Sequence, residues 1–185
     1  SVYAEGADIV IAHCYVERRQ RPLNLYQKEV PREDALRAVR DYGQAIRDLA
    51  RSDIFPGDLL LKNFGVTRNH RAIFYDYDEL CLVRDCRFKR LPQARNDDEE
   101  MRHGAWYYVD PNDVFPEQFP RFLGLDAEQL QVLLGEHGEI FDVDWWTTLQ
   151  ASLREEGHAD VPPYPEAARL VDNPAIDRGP TAVTP

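Results

Sequence analysis

Five polar residues near the middle of the chain have types and spacings that could support metal or acid–base chemistry. They interrupt or follow two apolar segments, DIFPGDLLLKNFGV and FYDYDE, and are Asp58, Lys62, Asn63, Asp76 and Asp78. Side chains alternate along an extended chain, so Asp76 and Asp78 would point the same way. Neighbouring carboxylates repel each other unless a cation is present, and oxygen ligands without a nearby His or Cys suit Mg²⁺ or Mn²⁺. The pattern predicts a hard divalent cation site.

A β-hairpin would bring these residues together. The segments DLLLKNFGV and RAIFYDYDE flank the polar turn TRNHR, in which Asn69 could supply a left-handed residue. Because a hairpin returns its second strand beside the first, Asn63 and Asp76 could converge on one metal, whereas Asp58 would stand in the loop before the strands. Asn63 would then be a neutral ligand and Asp76 an anionic one, and Asp58 could orient or deprotonate a hydroxyl.

Each of these polar residues also has a structural interpretation. An aspartate after Pro-Gly is often only a turn residue, and Asn63 with the next two residues could form a bulge. Taken jointly, the order Asp-x4-Asn, hairpin, Asp favours a functional site.

Helices are predicted around the hairpin. Apolar residues recur at helical spacing over residues 32–50, and Pro31 suits the turn that precedes this helix. Residues 126–138, with Asp126 as a candidate cap, and residues 143–154 are predicted as further helices. The segment ADIVIAHCYVERR near the N-terminus indicates a strand. The expected fold class is therefore α+β and mainly helical.

Composition restricts the function classes. The 185 residues contain 22 Lys and Arg against 33 Asp and Glu, for a net charge of -11. Nucleic-acid and anionic-membrane surfaces need a basic footprint, so neither partner is expected. An acidic enzyme or an acidic interaction module fits the balance, and no apolar run approaches membrane length.

Cysteine usage points to a reducing compartment. Cys14, Cys81 and Cys86 are an odd number in a chain without a signal-peptide pattern, which predicts free thiols and a cytoplasmic location. The Cys81-x4-Cys86 spacing could be imagined as part of a zinc site. It lacks the paired C-x2-C knuckle, so buried or idle thiols are favoured.

The order Asp-x4-Asn, hairpin, Asp is the layout of the catalytic and metal-binding loops in the protein-kinase-like fold. With CYVERRQRPLNLY before them and WYYVDPNDVFPEQF after them, the two segments closely resemble the C-terminal part of the bacterial isocitrate dehydrogenase kinase/phosphatase family. The resemblance covers residues 7–125 and, less distinctively, the last helices. It implies a bifunctional enzyme that phosphorylates and dephosphorylates a serine of NADP-dependent isocitrate dehydrogenase with ATP/ADP and Mg²⁺ or Mn²⁺, switching carbon between the citric acid cycle and the glyoxylate bypass.

The resemblance also implies roles for the five polar residues. Asp58 resembles the catalytic aspartate, Asn63 the metal-binding asparagine, and Asp76 the aspartate of the Asp-Phe-Gly segment of ordinary kinases. Asp78 resembles a further family acid that positions water or metal for phosphate removal. Lys62 either reaches a phosphate of the nucleotide or points to solvent.

The resemblance implies a protein-kinase-like C-lobe with a catalytic β-hairpin. Residues 1–20 would be the end of the N-lobe and the hinge region, 21–160 the C-lobe, and 161–185 a mobile tail. A nucleotide-binding N-lobe should contribute a Gly-rich cover and a lysine, but the chain has no Gly-x-Gly and no Val-Ala-x-Lys strand. We therefore expect the chain to belong to a larger polypeptide and to be inactive alone.

Alternatives remain at this point. The Gly-Asp-Leu opening also resembles small-molecule kinases of the aminoglycoside and choline type, and a non-catalytic metal-binding docking module is a third hypothesis. Residues 87–101 are either a substrate-docking segment for isocitrate dehydrogenase or a solvated loop. Trp106, Tyr107 and Tyr108 are expected in the core, and the sequence leaves open whether the chain forms a homodimer.

Overall fold

The computed structural model describes residues 2–12, 19–91 and 109–159. Within these residues the α-helices are α1 (Leu23–Glu29), α2 (Arg32–Arg51), α3 (Phe119–Phe122), α4 (Ala127–His137) and α5 (Val143–Glu156). The strands are β1 (Val2–Glu5), β2 (Asp8–Ile11), β3 (Arg21–Pro22), β4 (Ile54–Phe55), β5 (Phe64–Val66), β6 (Ala72–Phe74), β7 (Cys81–Leu82), β8 (Arg87–Phe88) and β9 (Asp113–Val114). The α+β class and its helical bias are confirmed.

Helix α2 is the central support of the fold. It matches the helix predicted over residues 32–50, with Pro31 before it and Glu33 and Asp34 in the first turn, where the positive end of the helix dipole favours carboxylates. One face is buried along its whole length by Ala35, Ala38, Val39, Tyr42, Gly43, Ile46 and Ala50. Helices α1 and α4, strands β4 and β6, and part of α5 all pack against it.

The predicted helices α4 and α5 are also confirmed. Asp126 and Gln129 form a capping box at the start of α4. The Asp126 carboxylate accepts from the backbone N–H of Gln129 at 2.9 Å, and the Asp126 N–H donates to the Gln129 side chain at 3.1 Å. Helix α4 approaches α2 closely at Gly43, where a Cβ atom would lie only 2.4 Å from Cδ2 of His137. Helix α1 was not predicted, because seven residues are too few for a clear helical period.

The predicted hairpin is present but shorter than expected. Strands β5 and β6 pair antiparallel with Phe64 opposite Phe74, and β3 pairs with the other edge of β5. Residues 58–60 are not in a strand, and Leu61–Asn63 form a 3-10 turn. The left-handed turn residue is His70, with φ 59°, and not Asn69. Histidine adopts this conformation more readily than most residues, and its ring nitrogen Nδ1 is hydrogen-bonded to the hydroxyl of Tyr26 at 2.8 Å.

A cluster of aromatic side chains fills the core between β4, β8 and α5. Trp146 is fully buried, stacks on Phe88 at 4.7 Å between centroids, and meets Phe55 edge to face at 5.6 Å. Its indole N–H donates to the carbonyl of Ile140 at 2.8 Å, so the buried polar atom is satisfied. Gln150 on the same helix donates to two backbone carbonyls of the segment after β7.

The strand predicted near the N-terminus is confirmed in part. Strands β1 and β2 form an antiparallel hairpin, but residues 13–18 lie outside the described residues. Residues 92–108 and 160–185 also lie outside them, so most of the proposed docking loop, the three aromatic residues at 106–108 and the predicted tail are not described. Among the described residues, no helix is long and apolar enough to cross a membrane.

Candidate functional site

A sharp turn leads from β4 into the candidate loop. Pro56 is fully buried, and Gly57 has φ 82°, a left-handed conformation that glycine adopts without strain. A Cβ atom at Gly57 would lie 2.6 Å from Cβ of Glu79 and 2.8 Å from its carbonyl oxygen. The turn therefore needs glycine twice over, for its φ angle and for its contact with the segment that follows Asp78.

The side chain of Asp58 is held by its own loop. Its Oδ1 atom accepts from the backbone N–H of Leu60 at 2.9 Å and from the side-chain amide of Asn63. Both hydrogen bonds end on Oδ1, so Oδ2 is the oxygen available to an incoming hydroxyl. Asp58 is half-buried, which gives it access to solvent and a fixed orientation at once. This arrangement suits a carboxylate that orients or deprotonates a substrate group.

The loop is tied to the core through Leu59. The Leu59 side chain is buried, and its carbonyl accepts from the hydroxyl of Tyr42 on α2 at 2.5 Å. Tyr42 in turn packs edge to face on Phe64 at 4.7 Å. Burial, and to a smaller extent the negative charge of Asp58, raises the pKa of Tyr42 well above its ordinary value. Tyr42 therefore stays protonated and keeps donating to the loop.

Asn63 and Asp76 are brought to the same end of the hairpin. The carbonyl of Asn63 accepts from the backbone N–H of Tyr75 at 3.1 Å, which extends the β5–β6 pairing by one step. Asp76 is the next residue after Tyr75 and is half-buried, whereas Asn63 is buried. Burial and then the charge of Asp76 raise the pKa of Tyr75, whose hydroxyl donates to the carbonyl of Lys62. The hairpin thus places the backbone of Asn63 against Tyr75, the residue before Asp76.

Asp78 does not sit on a strand. Strand β6 ends at Phe74, and Asp78 and Glu79 lie in an exposed turn. The expectation that the second hairpin strand continues through Asp76 and Asp78 is therefore wrong. Tyr77 between them is 64% exposed and rests on Phe74 through an edge contact and a hydrogen bond of 3.2 Å. The physical reason is that the chain turns at Asp78 and Glu79 to reach β7.

Lys62 lies in the 3-10 turn with its side chain exposed. It is the residue directly before Asn63, and its backbone carbonyl serves the hydroxyl of Tyr75. The side chain points to solvent from the same loop that holds Asp58.

The sequence analysis missed Asp53, which is almost fully buried. Its carboxylate accepts from Nε of Arg84 at 2.5 Å and from the Arg84 backbone N–H at 3.1 Å. Its carbonyl accepts from Val83 N–H at 3.2 Å. Asp53 thereby joins the start of β4 to the end of β7, the two ends of the candidate loop. The sequence feature that could have identified Asp53 is its position just after α2. The backbone there has φ 62°, a conformation that Asp adopts more readily than most residues.

The oxygen atoms of Asn63 and Asp76 suit Mg²⁺, which needs few protein ligands, better than a metal that is coordinated by protein alone. Among the described residues, no group of three or more His, Cys, Asp and Glu side chains could hold a metal. Mg²⁺ instead takes one or two protein oxygens and completes its shell with water and phosphate. Asn63 and Asp76 offer an amide and a carboxylate oxygen of that kind. The zinc interpretation of Cys81 and Cys86 has no further ligand among these residues.

Comparisons with known proteins identify a family that the chain resembles over most of its length. The family profile described as isocitrate dehydrogenase kinase/phosphatase (AceK) kinase domain matches residues 1–166. The isocitrate dehydrogenase kinase/phosphatase of Xanthomonas euvesicatoria pv. vesicatoria is 54% identical over 170 residues. Its counterparts in Xanthomonas axonopodis pv. citri and Xanthomonas campestris pv. campestris are 52% identical. Each comparison covers 92% of this chain and 29% of the relative, so the chain spans under a third of the length of these relatives.

Proposed function

The chain belongs to the isocitrate dehydrogenase kinase/phosphatase family, within its kinase domain, and from that premise we propose that it carries the phosphoryl-transfer residues of such an enzyme. The proposed substrate is a serine of NADP-dependent isocitrate dehydrogenase, which would be phosphorylated and dephosphorylated in the cytoplasm to divide carbon between the citric acid cycle and the glyoxylate bypass. The carrying observation is the hydrogen bond from Asn63 to Asp58 at the start of a hairpin whose second strand returns Tyr75, the residue before Asp76, to the backbone of Asn63.

Asp58 is proposed as the catalytic aspartate. Its Oδ1 atom is held by two donors, and its half-buried position leaves the carboxylate reachable from solvent. A serine hydroxyl of the substrate would donate to the carboxylate, which aligns the hydroxyl oxygen for attack and accepts its proton. General-base positioning of this kind contributes about 10² to 10⁴ in rate.

Asn63 and Asp76 are proposed to hold Mg²⁺, with Mn²⁺ as the alternative. When bound, the ion would neutralise charge on the phosphates of ATP or ADP. Asn63 is fixed for this task because its amide nitrogen is engaged by Asp58, which orients the amide oxygen away from that carboxylate. Asp76 would contribute the anionic oxygen.

Lys62 and Asp78 are proposed in supporting roles. The exposed ammonium group of Lys62, on the loop of Asp58, would contact a phosphate of the nucleotide. Asp78, in the exposed turn after Asp76, would position water for phosphate removal.

The domain organisation is also part of the proposal. Residues 21–160 would form a protein-kinase-like C-lobe with a catalytic β-hairpin, residues 1–20 the end of the N-lobe and the hinge, and residues 161–185 a tail. The nucleotide cover would come from another part of a longer polypeptide. Two facts support this: the relatives are much longer than the chain, and the chain has no Gly-x-Gly.

A chimera tests the proposal directly. This chain would replace the matched segment of the Xanthomonas euvesicatoria relative, and transfer of labelled phosphate to isocitrate dehydrogenase and its release would both be measured. We expect both activities in the chimera and none from the chain alone. Asp58→Asn and Asp76→Asn should each reduce phosphorylation by about 100-fold or more.

Asp85→Asn is the matched control, because Asp85 is an exposed aspartate that lies outside the loop and the hairpin. Thermal unfolding should be the same for the three variants. Full phosphorylation by the Asp58→Asn chimera, or transfer to choline or an aminoglycoside in place of isocitrate dehydrogenase, would contradict the proposal.

A further inference from the structure

Two cysteine sulfurs face each other beside the candidate site. Sγ of Cys81 in β7 lies 3.4 Å from Sγ of Cys86, just after the 3-10 turn Val83–Asp85. At this distance the sulfurs are in van der Waals contact, whereas a disulfide bond is about 2.05 Å long. The two side chains therefore already approach each other, as formation of a disulfide requires.

The two thiols have different surroundings. Cys81 is exposed, whereas Cys86 is 5% exposed and donates to the carbonyl of Leu82 at 3.4 Å. Burial, with the contact from Cys81, raises the pKa of the Cys86 thiol. An oxidant in solution therefore meets Cys81 first, and Cys86 waits behind it in protonated form.

We propose that Cys81 and Cys86 form a peroxide-oxidisable pair, in which Cys81 reacts first and Cys86 closes a reversible intramolecular disulfide. This proposal does not rest on the proposed phosphoryl transfer. It gives a role to the Cys81-x4-Cys86 spacing, which the zinc interpretation did not explain.

The chemistry balances with hydrogen peroxide as the oxidant. The Cys81 sulfur attacks one peroxide oxygen, the O–O bond breaks, and the thiol proton leaves with the departing oxygen as water, which gives a sulfenic acid. The Cys86 sulfur then attacks the Cys81 sulfur, the S–O bond breaks, and the Cys86 proton leaves with hydroxide as a second water. Two electrons pass from the thiol pair to the peroxide, and a dithiol reductant reverses the reaction.

The disulfide would tie down the segment that backs the candidate loop. Cys81 pairs with Phe55 in the β4–β7 ladder, directly before Pro56 and Gly57. Glu79, two residues before Cys81, packs on Gly57. A ring closed over residues 81–86 would restrict local opening at this contact, because a cross-link removes conformations from the opened state.

Mass spectrometry and hydrogen exchange test the pair. In a Cys14→Ser background, about one equivalent of hydrogen peroxide should give a monomer that has lost two hydrogen atoms and two alkylatable thiols. Dithiothreitol should restore both. Exchange of the amide hydrogens of Val83 and Cys86 should slow by about tenfold or more in the oxidised form.

Single variants separate the roles of the two cysteines. Cys86→Ser should stop at a Cys81 sulfenic acid that dimedone captures, and Cys81→Ser should leave Cys86 reduced. A circular dichroism melt checks that each variant is folded, and Cys86→Ala replaces Cys86→Ser if the hydroxyl destabilises the core. Oxidation of Cys86 in the Cys81→Ser variant, disulfide-linked dimers as the main product, or over-oxidised Cys81 beside a free Cys86 thiol would overturn the proposal.

Discussion

The described residues contain two antiparallel hairpins that differ in what lies against them. In the β1–β2 hairpin, Val2 is paired with Ile11 and Ala4 with Ile9, which puts the four residues on one face. Ile9 is nevertheless 77% exposed. In the β5–β6 hairpin every residue but Ile73 is buried. Pairing and apolar residues are common to both, so what fixes the second hairpin is its support by α2.

This difference explains why the candidate residues lie where they do. Asn63 and Asp76 flank the supported hairpin, and the carbonyl of Leu59 is bonded to Tyr42 on the supporting helix. A site that must hold an amide and a carboxylate within a fraction of an ångström needs such a rigid base. Strained or exposed strands would not provide it.

The largest expected effect comes from removing the support of the buried hairpin. Phe64→Ala deletes a fully buried ring that contacts Tyr42 and Phe74, and it should lower the free energy of unfolding by about 3 to 5 kcal/mol. Ile9→Ala in the exposed hairpin should change it by about 0.5 kcal/mol or less. Urea unfolding of both variants measures the contrast. Similar losses for the two would show that the hairpins are equally supported.

A smaller effect is expected where α4 presses on α2. In Gly43→Ala the new methyl group meets the His137 ring at 2.4 Å, so overpacking should cost about 1 to 3 kcal/mol. Gly135→Ala on α4 has open space around the new Cβ and should stabilise the helix by about 0.5 to 1 kcal/mol. Opposite signs in thermal unfolding are the expected result. A neutral Gly43→Ala would mean that α4 can shift freely on α2.

The link between the helix and the loop can be cut without making a cavity. Tyr42→Phe removes only the hydroxyl that donates to the Leu59 carbonyl, and it should destabilise the fold by about 1 to 2 kcal/mol because that carbonyl is left unpaired. In the chimera described above, we expect phosphorylation to fall while thermal unfolding shifts only slightly. A variant with unchanged activity would show that Asp58 does not depend on α2.

The smallest effect concerns the acid-sensitive cap of α4. The hydrogen bonds from Arg32 lower the pKa of Asp126 to about 2, below its unfolded value of about 3.9. The folded form is therefore favoured above pH 4, and this contribution is lost as the pH falls from about 4 to 2. Asp126→Asn keeps a side chain that can cap the helix but removes the charge. The free energy of unfolding of this variant should be lower than that of the unchanged chain at pH 5, and the two values should approach each other at pH 2.

The helices were predictable where a long period or a capping residue marks them. Helix α2 repeats its buried face over twenty residues, and Asp126 stands at the start of α4 with Gln129 three residues later. Helix α1 escaped because its seven residues hold too few turns. Local patterns predict elements that are long enough to average out exceptions.

The hairpin was predictable as a pair of strands, but its ends were not. Leu59 and Leu61 are buried in a loop and a 3-10 turn, so their apolar character resembled that of a strand. The left-handed position is His70, a residue type that adopts this conformation more readily than most, and its ring is hydrogen-bonded to Tyr26, 44 residues away. Burial was correctly inferred, while backbone conformation depended on distant partners.

The candidate site was predicted as a set of residues and not as a geometry. The spacing identified Asp58, Asn63 and Asp76; Asp58 is hydrogen-bonded to Asn63, and the Asn63 carbonyl pairs with Tyr75, the residue before Asp76. The role of Asp53 depends on Arg84, thirty-one residues away, and the turn at Gly57 depends on Glu79. Contacts of this range leave no periodic trace in a single sequence.

The central position of α2 has a consequence for the order of folding. The elements that hold the candidate loop on this side, from β3 to β6, lie within residues 21–74, so their contacts close short stretches of chain at low entropic cost. Gln150 reaches Val83 across sixty-seven residues. We therefore expect the hairpin and its helix to assemble early during synthesis, and α5 to seal the far side only after residues 143–156 have been made.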